Sequence, residues 1–119
     1  MGAATAMMIS GEESLPSQVK CIIEDCGYTS VHDEFKYQIK ELFHLPSFPI
    51  LNIGSLECRL FAGFSFEEAS ALEQVKKTKL PILFIHGDSD TYNPTEMVYE
   101  LYLFQNRFFC SFILIGNIF

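Results

Sequence analysis

Two short, uninterrupted apolar runs separated by helix-spaced residues constrain this chain more than any other feature. Val19–Glu24 and Leu80–Ile85 are each about the length of one strand, rich in Ile, Leu and Val, and without the polar alternation of a half-exposed strand. Such runs mark strands buried on both faces, and strands joined through helices must lie parallel, because a parallel pair cannot be closed by a tight turn. A third run, Phe108–Ile115, ends the pattern. The expectation is an α/β chain with a parallel sheet, helical crossovers and the order helix, strand, helices, strand, helix, strand. Three strands are few for so much apolar side chain, so the sheet is expected to be incomplete.

Helix signals fill the intervals. Gly2 to about Ser10 is rich in Ala and Met and suits close packing on a sheet. Ser30 and Asp33 form a capping box, behind which Val31, Phe35, Ile39, Leu42 and Phe43 form an apolar stripe, with Asp33, Glu34, Lys36 and Lys40 facing away. Residues 44–64 are irregular, with Pro46, Pro49, Gly54 and Gly63, and a short helix is expected near Leu51–Phe61. Ser65, followed by Glu67 and Glu68, predicts a helix to about Lys77. Asn93-Pro94-Thr95-Glu96 reads as Asn at the N-cap and Pro at the first helical position of a helix to about Gln105.

Composition narrows the function classes. The 119 residues carry 8 Lys+Arg against 15 Asp+Glu, a net charge of −7, which argues against nucleic-acid binding and against an anionic membrane surface. With 49% apolar residues the chain is globular in character, and no stretch is long and apolar enough to span a bilayer. Cys21, Cys26, Cys58 and Cys110 lack metal-site spacing and are expected to be reduced core thiols, which favours a cytoplasmic location. No Gly-rich phosphate cradle and no metal-ligand spacing is present, so no cofactor and no metal is implied.

Chemistry is expected in the loop His86–Asn93, because ligands of open α/β sheets bind beyond the carboxyl ends of the strands. Asp88 and Asp90 lie there with His86 and Gly87. Taken alone, the two aspartates read equally as solvated turn residues and His86 as a packed loop histidine.

The stretch Leu80–Pro94 resembles the acid-bearing strand and loop of the α/β-hydrolases, an apolar strand followed by His-Gly-x-x-Asp-x-x-Val-Pro, matched here by His86, Gly87, Asp90 and Pro94. Ser70-Ala71-Leu72 with Val75 and Pro81 is similar to the run leading into that strand. Ile23–Ser30 resembles the strand after the nucleophile helix, and the whole is most similar to the bacterial branch that is serine-aminopeptidase-like or esterase-like. The resemblance implies a partial α/β-hydrolase fold in a single incomplete domain over 1–119. Residues 1–30 would hold the nucleophile-elbow helix and following strand, 31–79 a lid-like region, 80–105 the acid-bearing strand, loop and helix, and 103–119 a divergent apolar tail.

By the same resemblance Asp90 is the acid of a catalytic triad, and Met1-Gly2 matches the end of the Gly-x-Ser-x-Gly elbow, so that Met1 occupies the oxyanion-hole position through its backbone. In this chain Met1 bears an amino group. The serine is expected just before Met1, the histidine beyond the helix ending near Gln105, and neither is in the sequence. A serine hydrolase fragment is therefore expected, inactive alone, whose parent family acts on small ester or amide substrates. His32 and His44 are poor substitutes for the base, Ser89 has no recognisable base, and Cys26 lacks a positioned histidine. Phe43, Phe48, Phe61, Phe64 and Phe66 suit either an apolar wall over a substrate or ordinary packing. Two other readings stand beside this one. One is a non-catalytic α/β interaction module, self-associating through an exposed sheet edge. The other is a haloacid-dehalogenase-like phosphatase using Asp88-Ser89-Asp90-Thr91, disfavoured because His86-Gly87 intervene between strand and first aspartate.

Overall fold

A computed structural model describes residues 1–105 and 111–116. Three parallel strands, β1 (Ile22–Asp25), β2 (Ile82–Gly87) and β3 (Ser111–Ile115), lie in the order β1-β2-β3, with Ile22 opposite Ile82 and Phe84 opposite Phe112. Five helices connect and cover them: α1 (Gly2–Ser10), α2 (Val31–Phe43), α3 (Ile50–Ala62), α4 (Ala71–Lys77) and α5 (Thr95–Phe104). The tail expected as a strand from Phe108 is a strand from Ser111; the part of that expectation before Ser111, with Cys110, lies outside the described residues. Among the described residues no helix is long and apolar enough to cross a membrane.

The core forms on one face of the sheet. Met7 of α1, Ala71 and Val75 of α4, and Val98 and Leu101 of α5 pack on Ile82 and Phe84 of β2, with Ile22 and Phe112 at the flanks. Small residues permit this. Ala4 is buried on α1, and Gly11 at the helix end lies so close to Gln74 of α4 that any Cβ there would meet that residue's backbone at 2.9 Å.

The opposite face contradicts burial on both sides. Ile23 is 61% exposed and Ile113 47% exposed, while Glu24, which the apolar run would place in a strand interior only at great cost, is fully buried on the helix-covered face. The strand period explains it: Ile22 and Glu24 share the covered face, Ile23 and Asp25 the open one.

The stretch 31–79 divides into two parts. Ser30 and Ser70 form an antiparallel bridge, flanked by hydrogen bonds from Val31 N to Ala69 O and from Leu72 N to Thr29 O. The chain leaves the sheet and returns to it at this clasp, so α2 and α3 stand outside while α4 belongs to the core. The helix expected from Ser65 begins at Ala71, capped by Ser70, whose Oγ accepts from Glu73 N. Phe66 and Glu67 are held instead by α3, Ser55 Oγ donating to Glu67 and accepting from Phe66 N, while Ser65 N donates to Glu68.

The α2 stripe is also not the buried side. Its N-terminus forms as expected, with Ser30 Oγ accepting from Asp33 N at 3.0 Å. Yet Phe35, Leu42 and Phe43 are exposed and Glu34 is buried, because α2 packs against the loop after β2 rather than on the sheet. Phe43, Phe48, Phe61 and Phe64 are likewise exposed, Phe61 at 89%, which removes ordinary core packing as their role. The thiols differ from expectation too: Cys21 is exposed, and Cys26 and Cys58 are partly so.

Candidate active site

The carboxyl ends of β1 and β2 meet under the loop His86–Asn93. Asp90 folds its own loop around it, its Oδ1 accepting from Tyr92 N at 2.8 Å and from Asn93 N at 3.0 Å. These bonds fix the side chain in the geometry of an Asx turn and leave Oδ2 without a partner among the described residues. Asp88 and Ser89 stay at the solvent surface, the serine hydroxyl donating to Asp88 Oδ1.

His86 is wholly buried, and its Nε2 lies 2.9 Å from Asn93 O. A carbonyl can only accept, so Nε2 carries the proton and the histidine serves as a prop for the loop. The expected Asn93 cap is not made. The helix starts at Thr95, and Asn93 reaches across to β1, its Nδ2 donating to Cys26 O at 2.9 Å. Thr95 Oγ1 donates to Gly87 O. Tertiary partners at the strand ends thus outcompete the local cap.

Cys26 sits at the end of β1 in the left-handed region, φ 54°, with burial pushing its thiol up to about 11 and the Asp25 and Asp90 charges adding to the rise. A thiol so disposed is not a nucleophile at neutral pH. His32 lies in the first turn of α2 beside Asp33, and His44 forms the left-handed C-cap of α2. Neither is brought to Asp90. Among the described residues no group of three or more His, Cys, Asp or Glu side chains is gathered as for a metal ion.

Two buried carboxylates were invisible to motif reading. Glu24 Oε2 accepts from Gly27 N at 2.8 Å while Oε1 has no partner, and burial pushes the carboxyl up to about 7, the Gly27 bond opposing and Asp25 adding. The spacing to Gly27 was the available signal, since a Cβ there would press on Glu24 Oε2 and Met7 Cε. Glu34 accepts from Gln38 Nε2 at 2.9 Å through Oε1 and leaves Oε2 unpartnered. Gln38 also donates to Tyr92 O, and Tyr37 to Thr91 O, so α2 and the loop His86–Asn93 are clasped together.

Between them lies a cavity of about 130 Å³. Tyr28, Glu34 and Phe35 form one side, Tyr92 and Asn93 the other, and Met1 reaches it at the start of α1. Tyr28 holds Met1 there, its hydroxyl 3.3 Å from Met1 Sδ. The α1 N-terminus and the Asp90 loop therefore open onto one space.

This arrangement of parallel sheet and covering helices recurs in solved structures. Acylaminoacyl peptidase of Pyrococcus horikoshii matches over 97% of this chain and 17% of its own, at 16% identity and TM-score 0.61. An esterase of Pyrococcus furiosus matches over 99% of this chain and 42% of its own, at 20% identity and TM-score 0.62. The chain is built on part of the α/β-hydrolase fold. In sequence it is 33% identical over 103 residues to the uncharacterized protein YqkD of Bacillus subtilis, which covers 84% of this chain. The chain spans 33% of YqkD's length. No protein-family profile matches it.

Proposed function

We propose that these residues form the acid-bearing part of a serine hydrolase site acting on ester or amide bonds. Asp90 is the triad acid in this reading. The observation that carries it is the divided carboxylate: Oδ1 is occupied by two backbone N–H groups, which fix the side chain, and Oδ2 is left to accept the Nδ1–H of a base. An acid so held selects the base tautomer that can take a proton from a serine and stabilises the imidazolium formed. The Met1 position supplies an oxyanion-hole N–H when it is an amide, at the start of α1, where the helix dipole favours a developing negative charge.

The sequence has no Gly-x-Ser-x-Gly and no histidine after His86. Serine and base therefore fall to residues outside these 119, and the chain by itself is inactive in this reading. Assay of the purified chain with p-nitrophenyl acetate checks it. Hydrolysis no faster than that by bulk protein is expected; enzyme-like turnover abolished by Asp90→Asn would contradict the division of roles.

A second reading is favoured by one observation, the bare side of the sheet. β1 has no neighbour on its outer edge among the described residues, and Ile23 and Ile113 face solvent. Unpaired strand edges with apolar flanks associate, so the chain self-associates in this reading.

A further inference from the structure

Glu24 and Asn93 hold the two ends of one peptide unit. The peptide joining Cys26 to Gly27 donates through Gly27 N to Glu24 Oε2 at 2.8 Å and accepts at Cys26 O from Asn93 Nδ2 at 2.9 Å. A trans peptide is planar, with its N–H and C=O pointing opposite ways, so the two side chains lie on opposite sides of it and are joined through it. Cys26 makes the turn in the left-handed region, φ 54°, and its own N–H donates to Ile85 O of β2, which anchors the unit to the sheet.

Asn93 carries the connection onward. It stands where the pattern matched by His86, Gly87, Asp90 and Pro94 has Val, and a half-buried amide there is costly unless it is used. Its side chain is used on Cys26 O, its backbone N–H donates to Asp90 Oδ1 at 3.0 Å, and its carbonyl accepts from His86 Nε2 at 2.9 Å. An unbroken run of hydrogen bonds and one residue's backbone thus leads from Glu24 to Asp90.

The far end of that run holds a group that changes charge near neutrality. Glu24 is 1% exposed, its Oε1 has no partner, and burial sets its titration at about 7. The elements packed on β1 are α1 and β2. Helix α1 has no ionisable side chain and brings Met7 to the same point beside Gly27. Strand β2 places Phe84 opposite Glu24, with His86 two residues further along the same covered face. Asp25, next on its own strand, adds to the rise. When Glu24 ionises, its bond from Gly27 N becomes charge-assisted, and because bonds in a chain polarise one another, Cys26 O becomes the stronger acceptor for Asn93.

We propose that Glu24 is a positioning residue for Asp90, acting through the Cys26–Gly27 peptide and Asn93, so that its charge state sets how firmly the loop His86–Asn93 is held. The inference rests on the reading of Asp90 as the acid of a hydrolase site and gives that site a response to pH from a group that never meets the substrate.

Chemical shifts of the isotopically labelled 119-residue chain, followed from about pH 5 to about pH 9, test this. The Glu24 carboxyl carbon, Gly27 N–H, the Asn93 side-chain amide and the Tyr92 N–H that bonds Asp90 are expected to inflect together, at about 7. Glu24→Gln should remove the inflection from Asn93 and Tyr92. Asn93→Val, which takes away the amide, should leave it at Gly27 and remove it from Tyr92. A Glu24 that only fills its place in the core would move Gly27 alone. In the unaltered chain, an Asn93 amide or a Tyr92 N–H that does not follow Glu24 would overturn the proposal without any variant. An inflection kept at Asn93 in a folded Glu24→Gln chain, or at Tyr92 in a folded Asn93→Val chain, would overturn it as well. The titration reads hydrogen bonds and not turnover, so its failure removes the coupling and leaves the role of Asp90 to be judged by ester hydrolysis.

Discussion

Glu24 is the residue whose environment departs furthest from its chemistry. Its carboxyl, raised by burial to about 7 from an ordinary 4.5, binds a proton in the folded chain through a pH range in which the unfolded chain has lost it. The stabilisation is complete below about pH 4.5 and is lost as pH rises towards 7, amounting to about 3 kcal/mol if the whole shift is expressed. Thermal unfolding between pH 5 and 7.5 should therefore show a falling midpoint, and Glu24→Gln should flatten the dependence. Gly27 belongs to the same contact. Gly27→Ala would drive a methyl group onto Glu24 Oε2 and Met7 Cε, and chemical denaturation should show a loss of about 1–3 kcal/mol with the slope unchanged.

At the scale of elements, the legible parts were those decided locally. The Ser30 cap, the α1 helix and the β2 strand follow from neighbours in sequence, and Ser30→Ala should cost about 1 kcal/mol because Asp33 N loses its acceptor. What a distant partner decides was not legible. Asn93 abandons its cap for Cys26 O, Phe66 and Glu67 are held by Ser55 rather than wound into a helix, and α2 turns Glu34 inward because the loop after β2, not the sheet, is its neighbour. Helical periodicity shows which residues share a face; it does not show what that face meets. The loop His86–Asn93 was marked as a site only through its resemblance, since His86, Asp88 and Asp90 by composition alone could equally be turn residues. The cavity was not readable at all, being built from Met1 and from residues of 28–38 and 92–93, which the fold brings together.

The whole molecule has one finished side and one unfinished side. Met7, Phe84, Val98 and Leu101 are completely covered, whereas Ile23, Ile113 and the outer edge of β1 stand open. Sedimentation of the purified chain should accordingly show concentration-dependent association, and Ile23→Lys, which puts a charge on the open face, should reduce it. A concentration-independent monomer would count against an associating surface. The chain spans 33% of YqkD, so the proposed role of Asp90 is tested best in a longer chain. The most direct measurement places the 103 matched residues of this chain in YqkD in exchange for their counterpart and follows p-nitrophenyl ester hydrolysis. The chimera should match YqkD itself in ester turnover, and Asp90→Asn should reduce its kcat by about 10⁴-fold, as expected when a triad acid no longer fixes its base. An ester-hydrolysing chimera unaffected by Asp90→Asn would contradict the assignment of Asp90 as the triad acid.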